Sequence, residues 1–156
     1  MKHRLLVVAC SALFGVAHAT EPSTASVIAA AKRFSPGTNW FAKSVTTGDF
    51  TCKGRTQQAI LGRSRSGLVV AIFTKHIGSR PDLLRFEPDL RAAEEPELQV
   101  DDLHFEDEEL WKEVSSLAPG LRKSGTCKGL SIHGGERDAL HIFWDLSRTR
   151  LETWSF

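Results

Sequence analysis

The apolar positions of this chain recur with two different periods. Between residues 23 and 37 the spacing is helical: Val27, Ala31 and Phe34 share one face, Ser23 or Thr24 stands at the N-cap, and Pro36-Gly37 ends the segment. From Glu106 the same period returns, with Leu110, Trp111, Val114 and Leu117 on one face, carboxylates in the first turn, and Pro119-Gly120 at the end. Elsewhere the apolar runs are short and strand-like. Gln57 to Leu61 and Leu68 to Phe73 predict a hairpin joined through Gly62 to Gly67, and Ala139 to Asp145 with Leu151 to Trp154 predict a second one around Leu146 to Arg150. Leu83 to Phe86 and Glu97 to Leu103 predict short extended pieces in a stretch broken by Pro81, Pro88 and Pro96. In the last hairpin, Trp144 set opposite Trp154 brings Ile142 opposite Phe156 and Leu140 onto the same apolar side; His141, Phe143 and Asp145 then form a half-polar face. The expected fold is α+β: two helices on a mainly antiparallel sheet with hairpins.

The first residues follow a different logic. Lys2, His3 and Arg4 precede an apolar run from Leu5 to Val16 and then Ala17-His18-Ala19, the order of a basic region, an apolar region and a small-residue cleavage site. Residues 1–19 are therefore expected to be a signal peptide cut after Ala19, leaving residues 20–156 as one domain outside the cytoplasm, periplasmic or secreted. The run is shorter than the ~20 residues a membrane-spanning helix needs, so no membrane span is expected. Val7-Val8-Ala9-Cys10 resembles a bacterial lipoprotein box and keeps lipidation at Cys10 as an alternative. Trp154-Ser155-Phe156 resembles the C-terminus of outer-membrane barrels, but the acidic middle of the chain does not supply the alternating strands such a barrel requires.

Composition narrows the function classes. At 41% hydrophobic and 25% charged, the chain is that of an ordinary folded domain. Lys2 and Arg4 leave with the signal, so eighteen basic residues face nineteen acidic ones, and this balance gives no bulk attraction to nucleic acid. Within the chain the charges separate: residues 51 to 91 hold eight basic against three acidic residues, and 92 to 113 hold ten acidic against one basic. Either the two segments pack together and neutralise each other, or the acidic one is solvated, or Glu106, Asp107, Glu108 and Glu109 form a charged interaction face. Cys10 leaves with the signal, so Cys52 and Cys127 remain as an even pair, expected to form one disulfide. They lie in two identical strings, Thr51-Cys52-Lys53-Gly54 and Thr126-Cys127-Lys128-Gly129, each ahead of a candidate hairpin; the identity reads as duplication or as coincidence.

Catalytic chemistry has weak support. Asp49 to Arg55 resembles the calcium loops of integrin-type propeller repeats, but Thr51 and Lys53 stand where further acids belong. Gly62-Arg63-Ser64-Arg65-Ser66 is similar to a nucleophile elbow without the following helix. His76, His104, His133 and His141 lack zinc-ligand spacing, although Glu106 and Asp107 adjoin His104, and Glu136 and Asp138 lie between His133 and His141. Cys127-Lys128-Gly129-Leu130, His141-Ile142-Phe143-Trp144-Asp145 and Trp154 resemble small exported bacterial proteins of uncharacterised function; this implies a similar C-terminal hairpin and compartment, and no activity. The expectation is a small exported binding module, with no cofactor and no metal, whose partner is another envelope protein or an enzyme it inhibits. The alternatives are a hydrolase or metal-dependent enzyme using His133, Asp138 and His141, and a structural envelope protein.

Overall fold

The computed structural model describes residues 21–86, 96–134 and 138–155. The segment expected to be a signal peptide, residues 1–19 with Cys10, and Glu136 and Phe156 lie outside these. Helix α1 spans Thr24–Phe34 behind the N-cap Ser23, whose hydroxyl accepts from the Ser26 amide, and buries Val27, Ala30 and Ala31. A first sheet follows. Strands β1 (Asn39–Trp40) and β2 (Thr46–Gly48) both pair with β3 (Gln57–Ser64), which continues antiparallel into β4 (Gly67–Phe73) and β5 (Asp82–Phe86). The 3-10 turn between β1 and β2 is pinned by Ser44, whose hydroxyl accepts from the Leu61 amide and donates to the Phe41 carbonyl.

The second half builds another antiparallel sheet, in the order β6 (Glu97–Asp102), β7 (Lys128–His133), β8 (Leu140–Asp145), β9 (Arg150–Trp154), with α2 (Glu108–Leu117) between β6 and β7. The α+β class, the two helices and the antiparallel pairing are as expected, while the strands divide into two sheets. The reason lies in Leu68–Phe73, a continuous apolar run with every residue buried. Its alternate side chains serve two cores: Val69, Ala71 and Phe73 meet α1, while Leu68, Val70 and Ile72 meet Leu98, Leu130, Ile132 and Ile142 of the second sheet. A strand apolar on both faces needs a cover on each. On the far side, Leu103, Val114, Ala118 and Phe143 join α2 to the second sheet. The layers therefore run helix, sheet, sheet, helix.

Several boundaries differ from the sequence reading. The first hairpin turns in two residues rather than six, because Ser64 pairs with Gly67 and its hydroxyl donates to the Gly67 carbonyl. Strand β7 and the short β1 and β2 were not among the expected elements. The face predicted for α2 is corrected: Val114 is buried, whereas Leu110 and Leu117 are 41% and 45% exposed, since the helix meets the sheet along Trp111, Val114 and Ala118.

The last hairpin is three residues out of the expected register. His141, not Trp144, lies opposite Trp154, and Trp144 lies opposite Leu151. The turn chemistry decides this. The buried Asp145 carboxylate accepts from the Ser147 amide, the Ser147 hydroxyl and the Arg148 amide, and Thr149 takes a positive φ of 52°, so the chain reverses within four residues. An odd shift moves Trp154 from the face of Ile142 to that of His141. Gly120, at φ 102°, lies against the same carboxylate, where an added Cβ would fall 2.5 Å from Cγ of Asp145. These bonds, the Ser147 hydroxyl foremost, hold the Asp145 carboxyl below its ordinary range.

Cys52 and Cys127 form the expected disulfide, with Cα atoms 4.7 Å apart and 75 residues of separation. It ties the turn entering β3 to the strand entering β7, beside a backbone bond from the Lys128 amide to the Asp49 carbonyl. The Asp49 carboxylate itself accepts from the Lys53 and Gly54 amides and so closes its own turn. Each Thr-Cys-Lys-Gly string leads into a three-stranded meander, β3–β4–β5 or β7–β8–β9. Yet the first string is a turn, with Cys52 at φ 56° and Gly54 at 67°, while Lys128 and Gly129 of the second already belong to β7.

Two outcomes are expected. Replacing both Cys52 and Cys127 by Ala lowers stability by ~2–4 kcal/mol in chemical denaturation, the usual range for a disulfide, with the chain-entropy value for a loop of this length, about 4.5 kcal/mol, as its upper bound. Asp145→Asn reduces the melting temperature at neutral pH. Because the folded carboxyl titrates below the unfolded one, its stabilisation is complete above the ordinary carboxylate range, near pH ~4, and is lost as pH falls through the depressed value. The gap between wild type and Asp145→Asn therefore narrows as pH falls below the ordinary carboxylate range in a melting series.

Candidate functional site

The outer face of the second sheet, where α2 leaves it, carries a connected cluster of four polar side chains, Asp101, Ser131, His133 and His141. The pairing explains how they meet. On that face β7 presents Gly129 and Ser131, which stand beside Asp101 and Gln99 of β6 and beside Phe143 and His141 of β8. Neither reaches far from the sheet, so side chains of β6 and β8 join across β7. Gly129 also has little room for a larger residue, since a Cβ there would lie 3.1 Å from the Ile142 carbonyl oxygen and from Leu103 Cδ2.

Asp101 is the hub. One carboxylate oxygen lies 2.6 Å from the Ser131 hydroxyl, and the other lies 2.7 Å from His141 Nδ1. A carboxylate only accepts, so Nδ1 of His141 carries the proton. The Ser131 proton points at Asp101, and its oxygen then accepts from His133 Nε2 at 2.8 Å. Ser131 is fully buried, whereas Asp101 and His141 keep 23% and 20% of their side-chain surface. The His141 ring stacks on Trp154, with centroids 4.1 Å apart and planes 9° from parallel.

Beside this network lies a cleft of about 300 Å³. Asp101, Asp102, His141 and Trp154 are among its lining residues. Leu103 and Phe105 of the β6–α2 connection, Leu110 and Val114 of α2, and Phe143 of β8 supply apolar walls. Val100 and Leu110 are large apolar residues more than a third exposed at this opening. A wider hollow of about 700 Å³ opens between the 3-10 turn and the start of β6.

The sequence candidates divide accordingly. His133 and His141 are brought into one network, through Ser131 and Asp101. Asp138, their expected partner, is exposed and takes no part, and Glu136 lies outside the described residues. His141 is half-buried on its strand. His76 is exposed, its Nδ1 accepting from the Gly78 amide, and His104 is exposed 3.9 Å from Glu106. Among the described residues, no three His, Cys, Asp or Glu side chains are grouped to hold a metal ion. Asp107 is the N-cap of α2, accepting from the Glu109 and Leu110 amides, and Glu108 pairs with Lys123 at 2.5 Å. Glu106 and Glu109 remain exposed beside the cleft. Asp102 pairs with Lys128, chiefly through a hydrogen bond that lowers its pKa.

Asp101, Ser131 and Trp154 are the site residues that sequence reasoning missed. Ser131-Ile132-His133 and Asp101 in an extended strand both carry the period-two signal, but only the register across three strands joins them. No family model, curated protein or solved structure matches the chain.

The buried serine gives a direct check on the network. Ser131→Ala leaves Asp101 and His133 each short of a partner and is expected to cost ~1–3 kcal/mol, read by denaturant unfolding. A change below about 0.5 kcal/mol would mean that the serine bridge carries no weight.

Proposed function

We propose that the protein is a small binding module that works outside the cytoplasm, periplasmic or secreted, and recognises another protein of the cell envelope through the cleft between α2 and the second sheet. One observation carries the reading: a cleft lined mostly by apolar side chains also holds Asp101, Asp102 and His141, and two of its large apolar residues, Val100 and Leu110, are more than a third exposed. Ligand sites are mostly apolar concavities with a few placed polar groups, and a volume of this order suits an anchoring side chain better than a large cofactor. The acidic residues Glu106 and Glu109 lie beside the cleft and supply charge for steering, while Asp107 and Glu108 serve the helix end itself.

The signal-like N-terminus and the oxidised cysteine pair support the compartment. Among the described residues no helix is long and apolar enough to cross a membrane. The hydrolase alternative draws on the joined histidines, but Asp138 stands apart and the one hydroxyl in the network is buried with its proton directed at a carboxylate. A nucleophile needs both a base and access.

A photo-crosslinking residue at position 110, expressed with the full chain in the envelope of the producing cell, tests the reading. A discrete adduct is expected at position 110 and not with the same residue at Thr47 on the first sheet. Equal labelling at both positions, or none at 110, overturns it. N-terminal sequencing of the exported chain is expected to begin at Thr20.

A further inference from the structure

We infer that one end of the sandwich docks on an anionic phospholipid bilayer, a contact separate from the cleft and independent of the binding reading above. Strand pairing gathers four connections at that end. Residues 49–56 form the turn that enters β3, and Gln57 donates both to the Thr51 hydroxyl within that turn and to the Thr74 carbonyl, where the connection from β4 to β5 begins. The disulfide joins the same turn to the segment between α2 and β7. Gly120 of that segment lies against Asp145, at the start of the β8–β9 turn, and the Lys53 ammonium stands 5.3 Å from the centre of the Trp144 ring.

These connections are strongly cationic although the whole chain carries a formal charge of only +1. Residues 49–56, 74–81, 118–127 and 146–149 together hold seven basic residues and one acidic residue, Asp49. The Asp49 carboxylate is turned to the Lys53 and Gly54 amides. Lys123 and Arg148 have acidic partners in Glu108 and Glu152. Lys53, Arg55, Lys75, Arg80 and Arg122 are exposed and make no ion pair among the described residues. Cations spread over four loops suit an extended array of phosphates better than one small anion, and both hollows described above are lined by other residues.

One apolar side chain points to a bilayer rather than a soluble polyanion. Leu146 stands in the β8–β9 turn and is 46% exposed, where turn chemistry favours small polar residues. The Asp145 carboxylate fixes that turn through the Ser147 and Arg148 amides, so the leucine is kept exposed with little further ordering to be done on contact. Beside a soluble polyanion Leu146 has nothing to gain. At a bilayer it enters the boundary between headgroups and acyl chains while the surrounding cations meet the phosphates.

Vesicle flotation of the exported chain tests this, with phosphatidylcholine alone and with an equal mixture of phosphatidylcholine and phosphatidylglycerol. Binding is expected to the mixed vesicles at low salt, to be lost at high salt, and to be absent with phosphatidylcholine alone. Combining Arg55→Gln, Lys75→Gln, Arg80→Gln and Arg122→Gln is expected to lower partitioning at least about a hundredfold, since each cation near such a surface contributes about fivefold. Leu146→Ser is expected to lower it several-fold. All five positions are exposed, and unchanged melting temperatures would confirm that these variants fold. Removing equal charge elsewhere in the first half, by Lys32→Gln, Arg33→Gln, Lys43→Gln and Arg85→Gln, is expected to change partitioning less than about threefold. Equal loss in both quadruple variants overturns the assignment to this end, and equal binding to the two kinds of vesicle overturns the anionic surface. Binding to double-stranded DNA as tight as to the mixed vesicles, with no effect of Leu146→Ser on either, overturns the bilayer in favour of a soluble polyanion.

Discussion

Strand β4 is enclosed on both faces, and the rest of the molecule is arranged around that enclosure. Leu68, Val70 and Ile72 point one way and Val69, Ala71 and Phe73 the other, all essentially without solvent exposure. Burial of one such side chain is worth ~1.5–3 kcal/mol, so neither face can be left open to water without a large loss. Helix α1 closes one side. It is too short to close the other, and the second sheet does so through Leu98, Leu130, Ile132 and Ile142. That sheet therefore has its inner face committed to the core, and its outer face becomes the place where function can be built.

On that outer face, α2 covers only part of the sheet. The helix packs through Val114 and Ala118 over Phe143 and Trp154, while Leu110 and Leu117 remain uncovered. Its start is fixed by the Asp107 cap and by Lys123, which pairs with Glu108 and lies 5.4 Å from the Trp111 ring centre. A helix fixed at one edge of a sheet leaves a cleft along that edge. The polar network then occupies the strip between covered and uncovered sheet, where Ser131 can be wholly buried while Asp101 and His141 remain partly open. Sequence-adjacent acids at this cleft have different partners: Asp101 bonds His141 and Ser131, and Asp102, one residue on, pairs with Lys128.

Much of the fold was legible in the chain because period and capping are local. Val27 and Ala31 marked the buried face of α1, Leu68–Phe73 marked a buried strand, and the even pair Cys52 and Cys127 marked the disulfide. The errors came where a distant or polar group decided the outcome. A run apolar on both faces announces two covers without naming them, so the division into two sheets was not readable. The register of β8 and β9 turned on one carboxylate, Asp145, that gathers the Ser147 and Arg148 amides. The exposure of Leu110 and Leu117 turned on where the sheet sits beneath α2. The candidate site was half legible: His133 and His141 stood out as residue types. Their partners Asp101 and Ser131 come from positions 40 and ten residues before His141, and only strand pairing brings them together.

The charge distribution gains a physical sense from the layers. In the described first half, ten basic residues accompany three acidic ones, and in the second half eleven acidic accompany six basic. These halves are the two sheets with their helices, so the described residues carry their charges as a dipole across the sandwich rather than as a mixture of signs. Lys123, Lys128 and His141, which pair with Glu108, Asp102 and Asp101, all come from the acidic half itself. At physiological salt such a field reaches about 8 Å from the surface. Among the described residues its negative side is that of α2 and its positive side that of α1. Asp101 is partly withdrawn from solvent within that negative half. The exposed acids and Asp101 therefore differ in kind: salt screens a charge in open solvent strongly and a partly buried one less.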